Sequence, residues 1–143
     1  MLAVRNYTPA DYPDLAALYK QSELFGGQFD ENRDGEERLA RKIASDPESI
    51  LVCESKGKIV GTVSLIEDGR VAWLFRFAVV KGEHEEAVTT ALSEKALAIL
   101  RDRGHKEVLV YAPAGDQGFE ERYKKLGFEK GTDYTCYYRN THA

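Results

Sequence analysis

A chain of 143 residues, 43% hydrophobic and 31% charged, has the size and balance of one soluble globular domain, residues 1–143, with a sizeable core. Its net charge of −4, with acids and bases mixed along the chain, lacks the basic footprint of a nucleic-acid binder. No apolar run approaches the roughly 20 residues that cross a bilayer, and MLAVRNYTPADYPD lacks the features of a secretory signal.

Leu2 to Asn6 reads as a short first strand. Thr8-Pro9-Ala10-Asp11 is a helix start: a hydroxyl cap, then proline, then an acid. Pro13 lets the regular helix begin only there, with Leu15, Leu18 and Tyr19 on its apolar face. Gly26-Gly27 breaks the pattern, and Gln28 to Gly35 is polar and turn-rich, which predicts a loop. Glu36 to Ser45 is a second helix with Leu39, Ala40 and Ile43 inward, ended by Asp46-Pro47. Ile50 to Glu54 and Ile59 to Ile66 are the arms of a hairpin turning at Lys56-Gly57-Lys58. Asp68-Gly69 makes a second turn, and Arg70 to Val80 is a third strand rich in β-branched and aromatic residues.

From His84 to Arg103 the spacing turns helical, with Val88, Leu92, Ala96, Ile99 and Leu100 near one face and Gly104 as the cap. Glu107 to Tyr111 is a strand, Pro113 to Gly118 a loop, and Phe119 to Leu126 a short helix capped at Gly127. Phe128 to Lys130 and Tyr134 to Arg139 complete the strands. Cys53 and Cys136 lie in strand-like runs without zinc spacing or a CxxC motif, so they read as buried free thiols in a reducing cytosol. No cluster has metal-ligand spacing.

The order β-α-α-β-β-β-α-β-α-β-β predicts an α/β or α+β fold, a mixed, mostly antiparallel sheet of about seven strands with helices on both faces. The connection from Val80 to Val108 is the one long enough for a parallel crossover.

Three stretches now resemble the GNAT superfamily, acyltransferases that use acetyl-CoA. They are the hairpin IVGTVSL followed by FAVV, the unit VVKGEHEEAVTTALSEKALAILRDRG followed by EVLVY, and YKKLGFEKG near the end. The likeness runs from Val4 to Tyr138 and is strongest from Val60 onward. It implies the acyl-CoA N-acyltransferase fold, a cytoplasmic N-acetyltransferase, and acetyl-CoA as co-substrate.

In the family a loop patterned as glutamine or arginine, two residues, glycine, one residue, then glycine or alanine grips the CoA pyrophosphate. Here His84-Glu85-Glu86-Ala87-Val88-Thr89 stands in its place, with Ala87 and Thr89 where glycines are usual. Helix residues have negative φ, so alanine costs little there, and backbone N–H groups with the helix dipole remain available. The hydroxyl of Thr89 is a further donor, and Val88 and Thr90 share the same turn. Glu83, Glu85 and Glu86 admit two readings: they point away while the amides still hold an anion, or they replace the phosphate as the dipole's partner.

The resemblance implies that the pantetheine arm lies along Phe77, Ala78, Val79 and Val80, in a splay between that strand and EVLVY. Amides near Phe77 to Val79 would polarise the thioester carbonyl. Tyr123 matches the family tyrosine near the thioester sulfur and, protonated at neutral pH, serves as general acid. Asp116 stands where many members carry a cofactor-contacting asparagine, and Phe119 where a small residue is common. Arg122, Lys124 and Lys125 are either a 3′-phosphate contact or a solvated face. Glu54, Glu67, Asp68 and Tyr111 are general-base candidates, with an ordered water as the other. The acceptor amine, on a small molecule or a peptide, would meet Leu24 to Arg33 and Tyr134 to Tyr138. There Phe25, Phe29, Tyr134, Tyr137 and Tyr138 form an aromatic wall and Glu23, Asp30 and Glu31 face a cation. A non-catalytic binding module of the same fold is the competing function, and YTCYYR is a candidate homodimer edge.

Overall fold

The computed structural model describes residues 1–22 and 28–142. Backbone contacts divide the chain into two compact units, residues 1–111 and 112–143.

In the first unit, β1 (Leu2–Asn6), β2 (Ile50–Ser55), β3 (Lys58–Glu67) and β4 (Ala72–Val79) form one sheet in that order, each pair antiparallel. A 3-10 turn, Pro9–Asp11, leads into α1 (Tyr12–Gln21), so the chain enters the helix one residue before Pro13. Asp11 both caps the turn and binds Arg5 through two hydrogen bonds of 2.8 and 2.9 Å, which fixes the chain's exit from β1. A short helix α2 (Glu31–Asp34) lies inside the stretch expected as a loop, because the Asp30 carboxylate accepts the Asn32 N–H at 2.8 Å and caps it. α3 (Glu36–Ser45) has the predicted bounds.

Two helical layers follow from the register. Val52, Thr62 and Ala78 are aligned across the sheet, and Cys53, Gly61 and Val79 form the next row. Neighbouring residues along a strand face opposite sides. Ile50, Val52 and Ala78 pack with Tyr7, Leu15, Leu18, Tyr19 and Leu39, so α1 and α3 cover one face. α4 (Glu85–Asp102) covers the other, with Val88 and Leu92 seated against Gly61. Being covered on both sides explains why Ile50 to Cys53 is a continuous buried run.

Arg103 closes the first unit's far end. It binds Asp46 at 2.8 and 2.9 Å, Glu48 at 3.0 Å and Glu67 at 3.1 Å, and His105 meets Glu67 at 2.9 Å. Five groups thus tie the end of α4 to the α3–β2 turn and the end of β3.

Among the described residues the sheet has four ladder strands rather than about seven. Glu107 to Tyr111 contributes a single parallel bridge, Leu109 to Trp73, through hydrogen bonds of 2.9 Å from Leu74 N–H to Leu109 O and from Leu109 N–H to Ala72 O. The direction is that of the predicted crossover; the length is not. Phe128–Lys130 and Tyr134–Arg139 form no strand, and Tyr134, Tyr137 and Tyr138 are 84%, 90% and 94% exposed. β-propensity reflects packing against neighbours, and a run without a partner strand does not realise it. Cys136 is accordingly exposed, whereas Cys53 is the buried free thiol expected.

The second unit holds α5 (Gln117–Lys125). Phe128 N–H donates to Tyr123 O at 2.9 Å and Gly127 N–H to Lys124 O at 3.0 Å, with Gly127 at φ +92°: a Schellman ending. The rings of Phe128 and Tyr123 meet edge-on at 5.7 Å, which supplies the apolar contact of that motif. Leu-Gly-Phe after the tyrosine is therefore a helix stop. Among the described residues no helix is long and apolar enough to cross a membrane.

Candidate active site

β4 carries the residues expected along the cofactor arm. Ala78 is buried in the α1–α3 core, Phe77 and Val79 are half-buried, and Val80 is 44% exposed. Val80 N–H donates to Val60 O at 2.9 Å, which holds the strand's end against β3. On its other side β4 meets Leu109 at Ala72–Leu74, and among the described residues no bridge continues along Phe75–Val79. The pairing between the two strands therefore ends at Leu74, before β4 turns into α4.

The turn between them passes through Gly82 at φ +151°, a backbone region essentially reserved for glycine. α4 begins with Glu85 N–H on Gly82 O at 3.2 Å and its first full-turn bond is Val88 N–H on His84 O at 3.0 Å. The Ala87 amide thus lies ahead of the helix's own ladder, where the macrodipole is positive. His84 occupies the N-cap position without using its ring as a cap, and its Nε2 lies 3.5 Å from Glu83 Oε1. Glu86 and Ala87 are exposed, Glu85 and Thr90 half-buried and Val88 buried.

Thr89 departs from its expected role. It is 4% exposed, and its hydroxyl donates to Glu85 O at 2.7 Å. Its single proton is committed to the helix, so this turn can present amides to an anion but not that hydroxyl.

β4 also contains a feature that alternation alone did not reveal. Ser64 pairs with Phe75 and Thr62 with Ala78, so Arg76 and Phe77 together oppose Val63: a β-bulge. Arg76 sits there at φ +53°, 3% exposed, and its guanidinium binds the carboxylate of Asp34, itself 1% exposed. Arg33 also reaches that carboxylate at 3.2 Å, and Asp30 N–H donates to it at 3.1 Å. The Arg76 guanidinium lies 5.1 Å from the Tyr19 ring centroid. Burial pushes the Arg76 pKa down against the pull of Asp34, and burial pushes the Tyr19 phenol up to about 12. The sequence signal was an arginine between aromatics in a strand of apolar neighbours.

In the second unit Tyr123 is half-buried between Phe119, at 6.1 Å, and Phe128. Burial raises its pKa against the lowering effect of Arg122, so the phenol is protonated at neutral pH. Asp116 is the N-cap of α5, with Oδ1 accepting Phe119 N–H at 3.2 Å. Its carboxylate is engaged by the helix it starts. Arg122 lies 5.4 Å from the Phe119 ring centroid; Lys124 is exposed, as is Lys125.

Of the general-base candidates, Glu67 and Asp68 belong to the hairpin end near Ala72. That end is roughly 20 Å from Val79 at about 3.3 Å per residue. Glu67 is held by His105 and Arg103, and Asp68 by Arg70, which keep both carboxyls below their ordinary pKa. Glu54 is paired with Arg5 at 2.8 Å, and the Tyr111 ring lies 4.5 Å from Trp73. Phe29 packs on the α1–α3 core, and Asp30 and Glu31 are exposed beside it. Glu23, Leu24 and Phe25 lie outside the described residues.

Known proteins resemble this chain in sequence and in fold. A model of the acetyltransferase (GNAT) family matches residues 12–128. An uncharacterized N-acetyltransferase of Methanocaldococcus jannaschii is 31% identical over 139 residues, covering 89% of this chain and 60% of the relative. The chain thus spans about three-fifths of that relative's length. Among solved structures, Ard1 from Thermoplasma volcanium aligns with a TM-score of 0.75 at 20% identity, covering 92% of this chain and 84% of that one. The paia N-acetyltransferase from Thermoplasma acidophilum, solved with coenzyme A, aligns at 0.69 and 17% identity, covering 87% and 88%. With that family model spanning both units and the neighbours sharing the fold, the chain belongs to the acetyltransferase (GNAT) family.

Proposed function

We propose that residues 1–143 act as one acetyl-CoA-dependent N-acetyltransferase domain, moving an acetyl group to a primary amine by direct attack. The observation that carries this reading is the end of the β4–Leu109 pairing at Leu74, on the strand that runs into a helix entrance whose Ala87 amide lies ahead of the ladder. An extended, amide-bearing chain such as pantetheine adds to a strand edge, and a diphosphate suits the dipole-facing amides.

In the reaction the amine nitrogen forms a bond to the acetyl carbon, the carbon–sulfur bond breaks, and the amine's proton leaves to water. Amides of Phe77 to Val79 stabilise the oxyanion, and Tyr123, assigned by its place in YKKLGF, returns a proton to the departing sulfur. The pyrophosphate is held by the turn from His84 to Thr90, through backbone rather than side chains. The acceptor is an amine on a small molecule or peptide; exposed Asp30 and Glu31 favour a cation. A cytoplasmic location suits the free thiols Cys53 and Cys136.

Calorimetric titration with acetyl-CoA tests the reading, followed by an amine panel with product detection. Heat, thermal stabilisation and turnover are expected. Neither heat nor stabilisation at millimolar acetyl-CoA would reject the enzyme and leave a binding module, the reading that Glu85 and Glu86 at the helix entrance favour. Exposed Tyr134, Tyr137 and Tyr138 support a homodimer through YTCYYR, which sedimentation of the full chain decides.

A further inference from the structure

Among the described residues, two other than glycine have positive φ, Lys56 at +52° and Arg76 at +53°. Lys56 lies with Gly57 in the turn of the β2–β3 hairpin, where such angles are ordinary. Arg76 lies inside a strand, where a β-carbon makes the left-handed region unfavourable unless surrounding contacts impose it. The contacts here converge on its head group. Asp34 binds it, and the rings of Tyr19 and Phe75 lie 5.1 and 5.7 Å from it. Asp34 is in turn fixed by Asp30 N–H at 3.1 Å, and the Tyr12 hydroxyl donates to the Asp34 carbonyl at 3.0 Å.

The ion pair therefore joins two parts of the proposed site. One is the β4 bulge of Arg76 and Phe77, in the stretch whose backbone is assigned to the thioester carbonyl. The other is the short α2 with Asp30 and Glu31, on the acceptor side. A surface ion pair would contribute little, but a buried one breaks expensively and has defined geometry.

We propose that the Arg76–Asp34 pair is a positioning device: it imposes the left-handed conformation at Arg76, so setting the bulge that aims the Phe77–Ala78 backbone, and fastens the acceptor-side segment 28–35 to that strand. Its catalytic consequence rests on the acetyltransferase reading; its structural consequence does not. Arg76 and Asp34 touch no reacting atom and act through the backbone.

Glycine supplies the test, because it takes φ near +53° without the penalty that alanine meets. Full-length Arg76→Gly, Arg76→Ala, Asp34→Asn and the double variant Asp34→Asn/Arg76→Gly are compared. Readouts are kcat, acetyl-CoA affinity and the Phe77 and Ala78 amide shifts by NMR. Asp34→Asn and Arg76→Ala are expected to lower kcat by about 10-fold or more, with acetyl-CoA affinity held within about threefold. Arg76→Gly should retain several-fold more kcat than Arg76→Ala and near-native amide shifts. Adding Asp34→Asn to it should remove nothing further. Equal kcat and equal amide shifts for the glycine and alanine variants would overturn the proposal, as would an Asp34→Asn protein with native turnover and shifts. Should Asp34→Asn fail to fold, the glycine–alanine comparison decides alone. Should the wild-type chain bind no acetyl-CoA, the enzyme reading fails separately. The amide shifts then decide the device: displaced in Arg76→Ala and native in Arg76→Gly supports it, no displacement in any variant rejects it.

Discussion

Gly61→Ala places a β-carbon 2.6 Å from Val88 Cγ1 and 2.9 Å from Leu92 Cδ1. Carbon atoms prefer separations of about 3.5–4.0 Å, so the gap must widen by roughly 1 Å. Val88 and Leu92 are fully buried and have no solvent to turn into, so α4 itself must lift or its side chains leave their rotamers. Overpacking of this kind costs about 1–3 kcal/mol, a fall in Tm of a few degrees per kcal/mol for a chain of this size. Because Val88 lies in the first turn of α4, the lift also moves the proposed pyrophosphate amides, and acetyl-CoA Kd should rise by about tenfold, or ~1.4 kcal/mol. Differential scanning fluorimetry and calorimetry measure the two effects. Gly61→Ala/Val88→Ala removes the nearest clashing atom and should recover part of both, giving a non-additive cycle. Native Tm and native affinity in Gly61→Ala would refute the idea that this glycine sets the seat of α4.

Tyr123→Phe should lower kcat by about 100-fold, the low end for general-acid loss since a thiolate leaves well, with acetyl-CoA affinity unchanged. A loss of affinity at native kcat would make the phenol structural. Asp46, paired with Arg103, and Glu67, paired with His105 and Arg103, have folded pKa values below their unfolded ones. Their contribution is present in full above the unfolded values near 4 and is lost as pH falls through the folded ones, so wild-type Tm should drop steeply below about pH 4. Arg103→Gln should lower Tm at neutral pH, by about 2 kcal/mol of stability, and flatten that acid limb. An unchanged acid limb would show that the network does not govern it. Gly127→Ala forces a β-carbon into the left-handed region and should cost about 1 kcal/mol, read as reduced α5 protection in amide exchange, with Gly127→Asn milder. Equal protection in all three would remove the Schellman assignment.

Much of the first unit was legible because its periodicities are long and bounded. α3 has its predicted bounds, and the hairpin strands differ by a residue or two at their ends, where Lys58 and Glu67 extend the ladder beyond the apolar run. α2 escaped notice because four residues carry no period; its cap, Asp30, was the sole signal. The later strands failed for a different reason. EVLVY and YTCYYR have strand composition, but a ladder is a property of two segments, and composition describes one. At the site, FAVVKGEHEEAV showed where a strand meets a helix entrance. It did not show that Thr89 is spent on Glu85 O, which depends on a rotamer, nor the Arg76 bulge, which depends on a carboxylate forty-two residues away in α2.

The unfilled side of β4 has a bearing on handling the protein. The bridge from Leu109 to β4 ends at Leu74, and a strand margin of this kind can accept an extended peptide, another molecule of this chain included, as a further row of the sheet. A small molecule occupying that margin would act as a guard against clumping as well as a reagent. Preparations kept saturated with it should stay monodisperse at concentrations where bare protein begins to associate.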